Sequence, residues 1–431
     1  MAKKQITMCL GIVTVCALWP FVAAAGELAK YAIRAGKILT MAQPGQGESV
    51  INHGVILICD GKIETLGPDS EIQVPDGYTP VDAADRWVMP GIVEAHSHIG
   101  TEGGFNDMVV PLNPELSIAD CVNPEDIAVE KALTGGVTTV HTMPGSGTNL
   151  AGFTVIIKVD PSRPEKMILR EIGAMKISQA FNPERRGGDL GLTRMGMSWM
   201  LRHVLREGKE YHAAWQAYEG GQSEEEPEYK PELENMRKVF AGEIPTIVHT
   251  CEVWGVMQTM RMFNDENGLT VIATHTPGGG YMVGNEAAKR DGVHINIGPR
   301  LMEFTWGAEF DSRFHGMGSE YSRRGVKNLS INTDSVGWSD RLAPQEELAA
   351  QAAMSARLGL DDRAALEAIT VRAAQALGID DRVGSLEAGK DADIVIKRGS
   401  LLDVTTPVDL VLVNGAIAYQ REGVNLVGER S

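Results

Sequence analysis

Between residues 88 and 332, short apolar runs of strand length alternate with longer stretches of helical character, and both ends of the chain carry alternating β segments broken by tight turns. These observations predict an α/β chain in which a (β/α)8 TIM barrel is inserted into a small β-sandwich built from both termini. The length of 431 residues supports such a division, being enough for one large barrel plus an accessory layer.

The amino end reads differently from the rest. Lys3 and Lys4 precede an apolar run that ends in Ala23, Ala24 and Ala25, the order of a secretory signal peptide over residues 1–25. The mature chain is therefore expected to be exported, periplasmic or secreted, and free of the membrane once the signal is cut, since no later segment is long and apolar enough to span a bilayer. Of the 5 cysteines, Cys59, Cys121 and Cys251 lie beyond the signal. An odd, sparse set does not make a disulfide framework, and all three read as buried thiols.

Residues 26–88 supply short strands and turns, with Asp60-Gly61 as a hairpin turn and Pro75-Asp76-Gly77 as another. Residues 381–431 carry matching strands around Asn414-Gly415, so the two ends are expected to form the β-sandwich, with residues 89–380 as the barrel. Within the barrel the candidate strands are 88–93, 137–142, 154–158, 172–177, 246–249, 270–274, 293–297 and 328–332. Asn123 ahead of Pro124 caps a predicted helix, and Asp361-Asp362 starts another that stops at Gly378. The acidic stretch 220–234 reads as a solvated excursion on the rim, and 195–205, rich in Met, Trp and Leu, as a packed core face.

The formal charge is −17. Such a surface repels phosphate backbones and anionic lipid heads, which disfavours nucleic-acid and membrane partners and favours a small molecule or short peptide.

Catalytic groups of barrels sit at the carboxyl ends of the strands. Here strand one ends in His96 and His98, strand four in Lys176, strand five in His249, strand six in His275 and strand eight in Asp334. His96 and His98 share one face of an extended segment, so both imidazoles can reach one ion. Four of the 10 histidines at strand ends, joined by a carboxylate, point to a metal site. Weaker candidates for substrate contact are His141 at the end of strand two, Tyr281 after the Gly278–Gly280 turn, and Arg300 after strand seven. Cys251 reads as buried wall, because no motif places a base beside it.

Taken together, VMPGIVEAHSHIG, GGVTTVHTMPGSG, IPTIVHT, VIATHT, NTDS and VGSLEAGKDADIVI resemble the amidohydrolase superfamily, in its imidazolonepropionase-like and prolidase-like branch. The resemblance covers nearly the whole mature chain. It implies that His96 and His98 hold one divalent ion, Zn being the expected metal, that His249 and His275 hold a second, and that Asp334 contacts the metal and handles protons. It also implies that Lys176 is carbamylated and bridges the two ions. The implied reaction is cleavage of a C–N bond, amide or peptide-like, by a metal-activated hydroxide, as in a dipeptidase or prolidase. Members of the superfamily often associate, so a homo-oligomer is a further expectation. One departure stands out: where the branch reads Lys-x-x-x-Gly-Glu-Asn-Pro, this chain has KISQAFNP, with Phe181 at the glutamate position. Two alternatives stay open at this point, a mononuclear deaminase or cyclic-amide hydrolase, and a non-catalytic small-molecule-binding barrel.

Overall fold

The computed structural model describes residues 29–43, 45, 47–160, 162–180, 182–185, 193–299, 301–304, 313–336 and 348–429. The expected signal peptide, Phe181 and Arg300 lie outside the described residues. No helix among the described residues is long and apolar enough to cross a membrane.

In chain order, β1 (Tyr31–Leu39), β2 (Val50–Cys59), β3 (Lys62–Pro68) and β4 (Thr79–Pro90) open the fold. They are followed by β5 (Ile92–Ser97), α1 (Ile127–Thr134), β6 (Val137–Thr142), β7 (Leu150–Phe153), β8 (Val155–Lys158), β9 (Ile168–Arg170), β10 (Met175–Ser178), α2 (Arg194–Glu219), α3 (Pro231–Phe240), β11 (Thr246–Thr250), α4 (Val253–Thr259) and β12 (Val271–His275). Then come α5 (Gly284–Ala287), β13 (Val293–Ile297), β14 (Met302–Phe304), β15 (Phe314–Gly316), α6 (Met317–Arg323), β16 (Leu329–Ile331), α7 (Leu348–Arg357), α8 (Asp362–Ala368) and α9 (Val371–Leu377). The chain closes with β17 (Ile394–Lys397), β18 (Val408–Val413) and β19 (Ala416–Gln420).

Strands from both ends form one seven-stranded sheet, ordered β19-β18-β17-β4-β1-β2-β3. It is a single hydrogen-bonded sheet because β4 is long: residues 79–88 pair with β1, while residues 87–90 pair with β17. Alternate side chains, among them Ile33, Ile56, Val81, Ile394 and Leu412, point to one shared apolar core. Asp60-Gly61 and Asn414-Gly415 are the hairpin turns, all four residues having positive φ, as a type I′ turn requires. The two tips touch, and a Cβ at Gly415 would come 2.7 Å from Gly61 Cα.

The central region holds a six-stranded sheet, β16-β13-β12-β11-β10-β7, and a four-stranded sheet, β5-β6-β8-β9. The pairs from β10 through β16 are parallel. The first central strand starts at Ile92, since residues 88–90 belong to β4 and Gly91 donates its N–H to Asp393 O. The third strand position departs more sharply from expectation. β8 runs antiparallel to β6, and β7 antiparallel to β10. The link from β6 to β8 is residues 143–154, which carry β7 but no helix, so the helical crossover that a parallel return uses is missing.

Several helix ends also shift. Asp126, not Asn123, caps α1, its side chain accepting from Ala128 N. The helix predicted from Asp361 to Gly378 is broken at Ile369 and Thr370 into α8 and α9. In α2, Met197, Leu201 and Leu205 are buried as expected, but Met195 and Trp199 are exposed. Cys251 is buried, whereas Cys59 and Cys121 are only half-buried; all three are free.

Candidate active site

The site is assembled at β5 and the segment that follows β16. Asp334 N donates to His96 O at 3.2 Å and His98 N donates to Ser335 O at 2.8 Å, so residues 334–335 run alongside the end of β5. This places Asp334 Oδ1 3.3 Å from His96 Nε2 and 3.4 Å from His98 Nε2. A fully buried carboxylate, Glu94, holds the two segments together. It accepts from His96 N at 3.0 Å, from Thr333 N at 3.0 Å and from Thr333 Oγ1 at 2.7 Å. Burial raises its carboxyl to about 8 even though the three donors favour the charged form.

The other half comes from three parallel strands. The register pairs Ser178 with His249 and Thr250 with His275, so His249 and His275 stand at the carboxyl ends of β11 and β12, whereas Lys176, paired with Ile247, is the second residue of β10 and not its end as expected. The His275 ring lies 4.6 Å from that of His96 and 4.8 Å from that of His249, centroid to centroid. His275 Nε2 is 3.9 Å from Asp334 Oδ1. Lys176 Nζ lies 3.3 Å from His96 Nε2 and 3.3 Å from Met143 Sδ. All six residues marked by the strand-end pattern are thus brought together.

The outer ring nitrogens are engaged with the scaffold. His98 Nδ1 meets Met143 O at 2.7 Å, His275 Nδ1 meets Gly298 O at 2.6 Å, and His96 Nδ1 lies 3.1 Å from Thr274 Oγ1. With Nδ1 as the donor toward a carbonyl, Nε2 of His98 and His275 presents a lone pair inward, the arrangement that second-shell bonds impose on metal-binding imidazoles. Burial, with the Lys176 charge added, holds His96 well below the ordinary imidazole range, and burial with the His275 charge added does the same for His249. Burial opposes charge on Asp334, yet the facing imidazoles of His275, His96 and His98 hold its carboxyl well below the usual range. Burial therefore favours the neutral form of His96, His249 and His275 beside an ionised Asp334 carboxylate.

Two observations test whether these residues fit a metal. His249 Nδ1 and His275 Nε2 are buried without a hydrogen-bond partner among the described residues. Such orphaned atoms are costly unless something unseen satisfies them. In addition, one ligand atom each from His96, His98 and Asp334 lies within 4.8 Å of the others. The donor set of imidazole nitrogens and carboxylate oxygen suits a divalent cation such as Zn. His275 and Asp334 adopt φ of 69° and 52°, left-handed values that a non-glycine residue holds at a cost of about 1–3 kcal/mol each.

A cavity of about 460 Å³ opens over this cluster, lined by His98, His249, Asp334, Phe105, Asn106 and Asn182 among others. A larger groove of about 730 Å³ lies between α2 and α3, remote from the chemistry. Among the weaker candidates, His141 is fully buried with Nδ1 on Ala95 O at 3.0 Å and Nε2 on Thr154 Oγ1 at 2.6 Å, and it does not line the cavity. Tyr281 is buried and stacked on His315 at 5.2 Å, likewise away from the lining. Burial pushes the Cys251 thiol up to about 11, which keeps it a poor nucleophile. Sequence reasoning missed Glu94, Met143 and Phe105. For Glu94 a signal existed: a carboxylate inside the apolar run PGIVEAH must be buried with donors.

Comparison with known proteins follows the same line. Residues 319–419 match the model of the amidohydrolase family. Amidohydrolase tasK of Hapsidospora irregularis is 25% identical over 86% of this chain, which spans 40% of that protein's length. The imidazolonepropionase of Mesorhizobium japonicum is 23% identical over 88% of this chain and 93% of its own. Among solved structures, an amidohydrolase from Thermotoga maritima superposes with a TM-score of 0.77 at 27% identity, covering 91% of this chain and 100% of that one. A Xaa-Pro dipeptidase shares the fold at a TM-score of 0.51 and 17% identity, over 91% of this chain and 100% of its own.

Proposed function

Because the chain is related to the amidohydrolase superfamily, we propose that it is a metal-dependent hydrolase of a carbon–nitrogen bond in a small molecule or short peptide, acting at a binuclear site bridged by carbamylated Lys176. The observation that carries this reading is Lys176 itself. It is fully buried among His96, His249, His275 and Asp334, and no carboxylate lies within hydrogen-bond reach of its amine among the described residues. Burial, opposed only by Asp334, draws the amine down to about 7. Such an amine is neutral enough to add carbon dioxide and release a proton, becoming an anionic carbamate that suits two cations better than an ammonium does.

On this reading His96 and His98 hold one ion, His249 and His275 the other, and the Lys176 carbamate both. Ions held by these residues would supply Lewis acidity toward a carbonyl and toward water. Asp334 accepts a proton during attack and returns it to the departing amine, one carboxylate serving as base and then acid. Glu94 keeps Asp334 in register through Thr333. The two central sheets then form arcs of one eight-position barrel, joined where β7 and β8 flank Thr154 and where residues 334–335 bond β5. Export of the mature chain and self-association belong to the same proposal.

The experiment is a hydrolysis screen of metal-loaded protein on dipeptides, N-acyl amino acids, cyclic amides, lactones and aminated bases. Asp334→Asn is expected to lower turnover by about 10²–10⁴-fold while metal stays bound. A fully active variant overturns the proton-transfer role. The second reading, a mononuclear deaminase or cyclic-amide hydrolase, draws on the His96, His98 and Asp334 triad, which by itself can hold one ion. One metal equivalent per chain, unaffected by Lys176→Met, selects it.

A further inference from the structure

The cavity over the catalytic cluster has a neighbour. A second cavity of about 530 Å³ is lined by Thr101, Glu102, Asn123 and Asp126, and it shares His98, Phe105 and Asn106 with the first. Phe105 therefore stands between the two. Its ring stacks on that of His98 at 4.9 Å and 14°, which fixes one face of the wall to a residue of the catalytic cluster.

Asn106 fixes the other end. Its Oδ1 accepts from Gly147 N at 2.7 Å, and Phe105 O accepts from Gly145 N at 2.7 Å. A Cβ at Gly145 would lie 2.3 Å from Asn106 Nδ2, and one at Gly147 2.5 Å from Asn106 Oδ1, so only glycines admit this latch. On the other side the segment is loosely held: Gly103 has φ of 74°, and neither Gly103 nor Gly104 has a neighbour within 4 Å of where a Cβ would stand. The wall is thus latched at residues 145–147, with open space beside residues 103–104 among the described residues.

The two cavities also differ in charge. Asp126 in the second is already occupied, accepting from Ala128 N and Gly100 N at 3.0 and 2.7 Å. Among the described residues, Glu102 is exposed and has no ion-pair partner, and no arginine or lysine lines the cavity.

We propose that Phe105 is the specificity-determining wall of this site, and that the second cavity receives the extension of an amide substrate, of several non-hydrogen atoms and uncharged or cationic at its end. This rests on the hydrolase reading above. Phe105 acts by its bulk: in place it limits substrates to the catalytic cavity plus what passes its edge, and displaced or truncated it joins the two spaces.

The test uses N-acyl amino acids and dipeptides whose extension grows from methyl to hexyl and ends in methyl, amine or carboxylate. Each is assayed with metal-loaded wild type, Phe105→Ala, Phe105→Tyr and Glu102→Gln. Phe105→Ala is expected to raise the long-to-short ratio of kcat/KM by about tenfold, the scale of fitting or excluding a methylene in an apolar pocket. Phe105→Tyr should keep the wild-type ratio, and Glu102→Gln should cut the preference for amine over carboxylate ends by about threefold. Binding of the same series to Asp334→Asn, with and without Phe105→Ala, is read by calorimetry and does not depend on turnover. Wild type that hydrolyses none of the series but shows graded binding, reordered by Phe105→Ala, removes the hydrolase reading and leaves the wall. Equal changes for all members in both turnover and binding reduce Phe105 to a support for His98 and overturn the proposal.

Discussion

Of the lysines buried among the described residues, Lys158 and Lys176 lie in neighbouring parts of this fold, and their surroundings could hardly differ more. Lys158 in β8 is 1% exposed, with Nζ 2.6 Å from Asp393 Oδ2 and 3.0 Å from Asp391 Oδ2. Asp391 is shared with Lys62 and with Arg382, and Asp393 Oδ1 also accepts from Asn414 N. Lys176 in β10 is 0% exposed, and among the described residues its amine finds only an imidazole nitrogen and a thioether sulfur. The first lysine is charge-matched and ties the terminal sheet to the central strands. The second has no such match, which is what a group awaiting chemical modification or a neutral role requires. One residue type thus does structural work in one place and stands in the proposed reactive centre in the other.

That contrast can be broken by exchanging each lysine for methionine. Lys176→Met is expected to lower turnover on the order of 10²–10³-fold, the scale of several kcal/mol of lost Lewis-acid stabilisation, and to reduce bound metal in elemental analysis. The same variant, unfolded in urea without metal, should lie within about 1 kcal/mol of wild type, because an unmatched amine contributes little to folding. Lys158→Met should instead lose about 3–5 kcal/mol in the same urea titration, since it strands buried carboxylates.

Acid sharpens the comparison further. Burial opposes charge on Asp391, but Lys158, Lys62 and Arg382 hold its carboxyl below the ordinary 3.8. Its contribution is therefore full above 3.8 and is lost as pH falls through its lower folded value, so wild type should weaken below about pH 4 and Lys158→Met should show less of this loss. The smallest expected effect is at Glu94. Glu94→Gln replaces one of the two acceptor oxygens that hold His96 N and Thr333 with an amide NH2, and metal affinity measured by competition with a chelator should fall by about 10–100-fold.

The chemistry was more legible in the sequence than the packing. His96, His98, His249, His275 and Asp334 stand where strand ends are readable from apolar runs, so their convergence follows once those runs are placed side by side. Asp60-Gly61 and Asn414-Gly415 announce their turns through the two residue types that tolerate positive φ. The antiparallel third position was not legible, because residues 137–142 and 154–158 have the same apolar pattern in either direction. The Lys158 cluster joins residues more than 230 positions apart, and no local pattern pairs them. Phe105 and Asn106 belong to a loop whose place over the cavity depends on a contact with Gly145 and Gly147.

The central claim is that Lys176 carries a carbamate holding two ions. Protein prepared in ¹³C-bicarbonate and loaded with Zn should show a ¹³C carbamate resonance and about two metal equivalents per chain, and Lys176→Met should lose the resonance and the second equivalent. A wild-type spectrum with no carbamate signal, together with one equivalent of metal that Lys176→Met leaves unchanged, contradicts the claim.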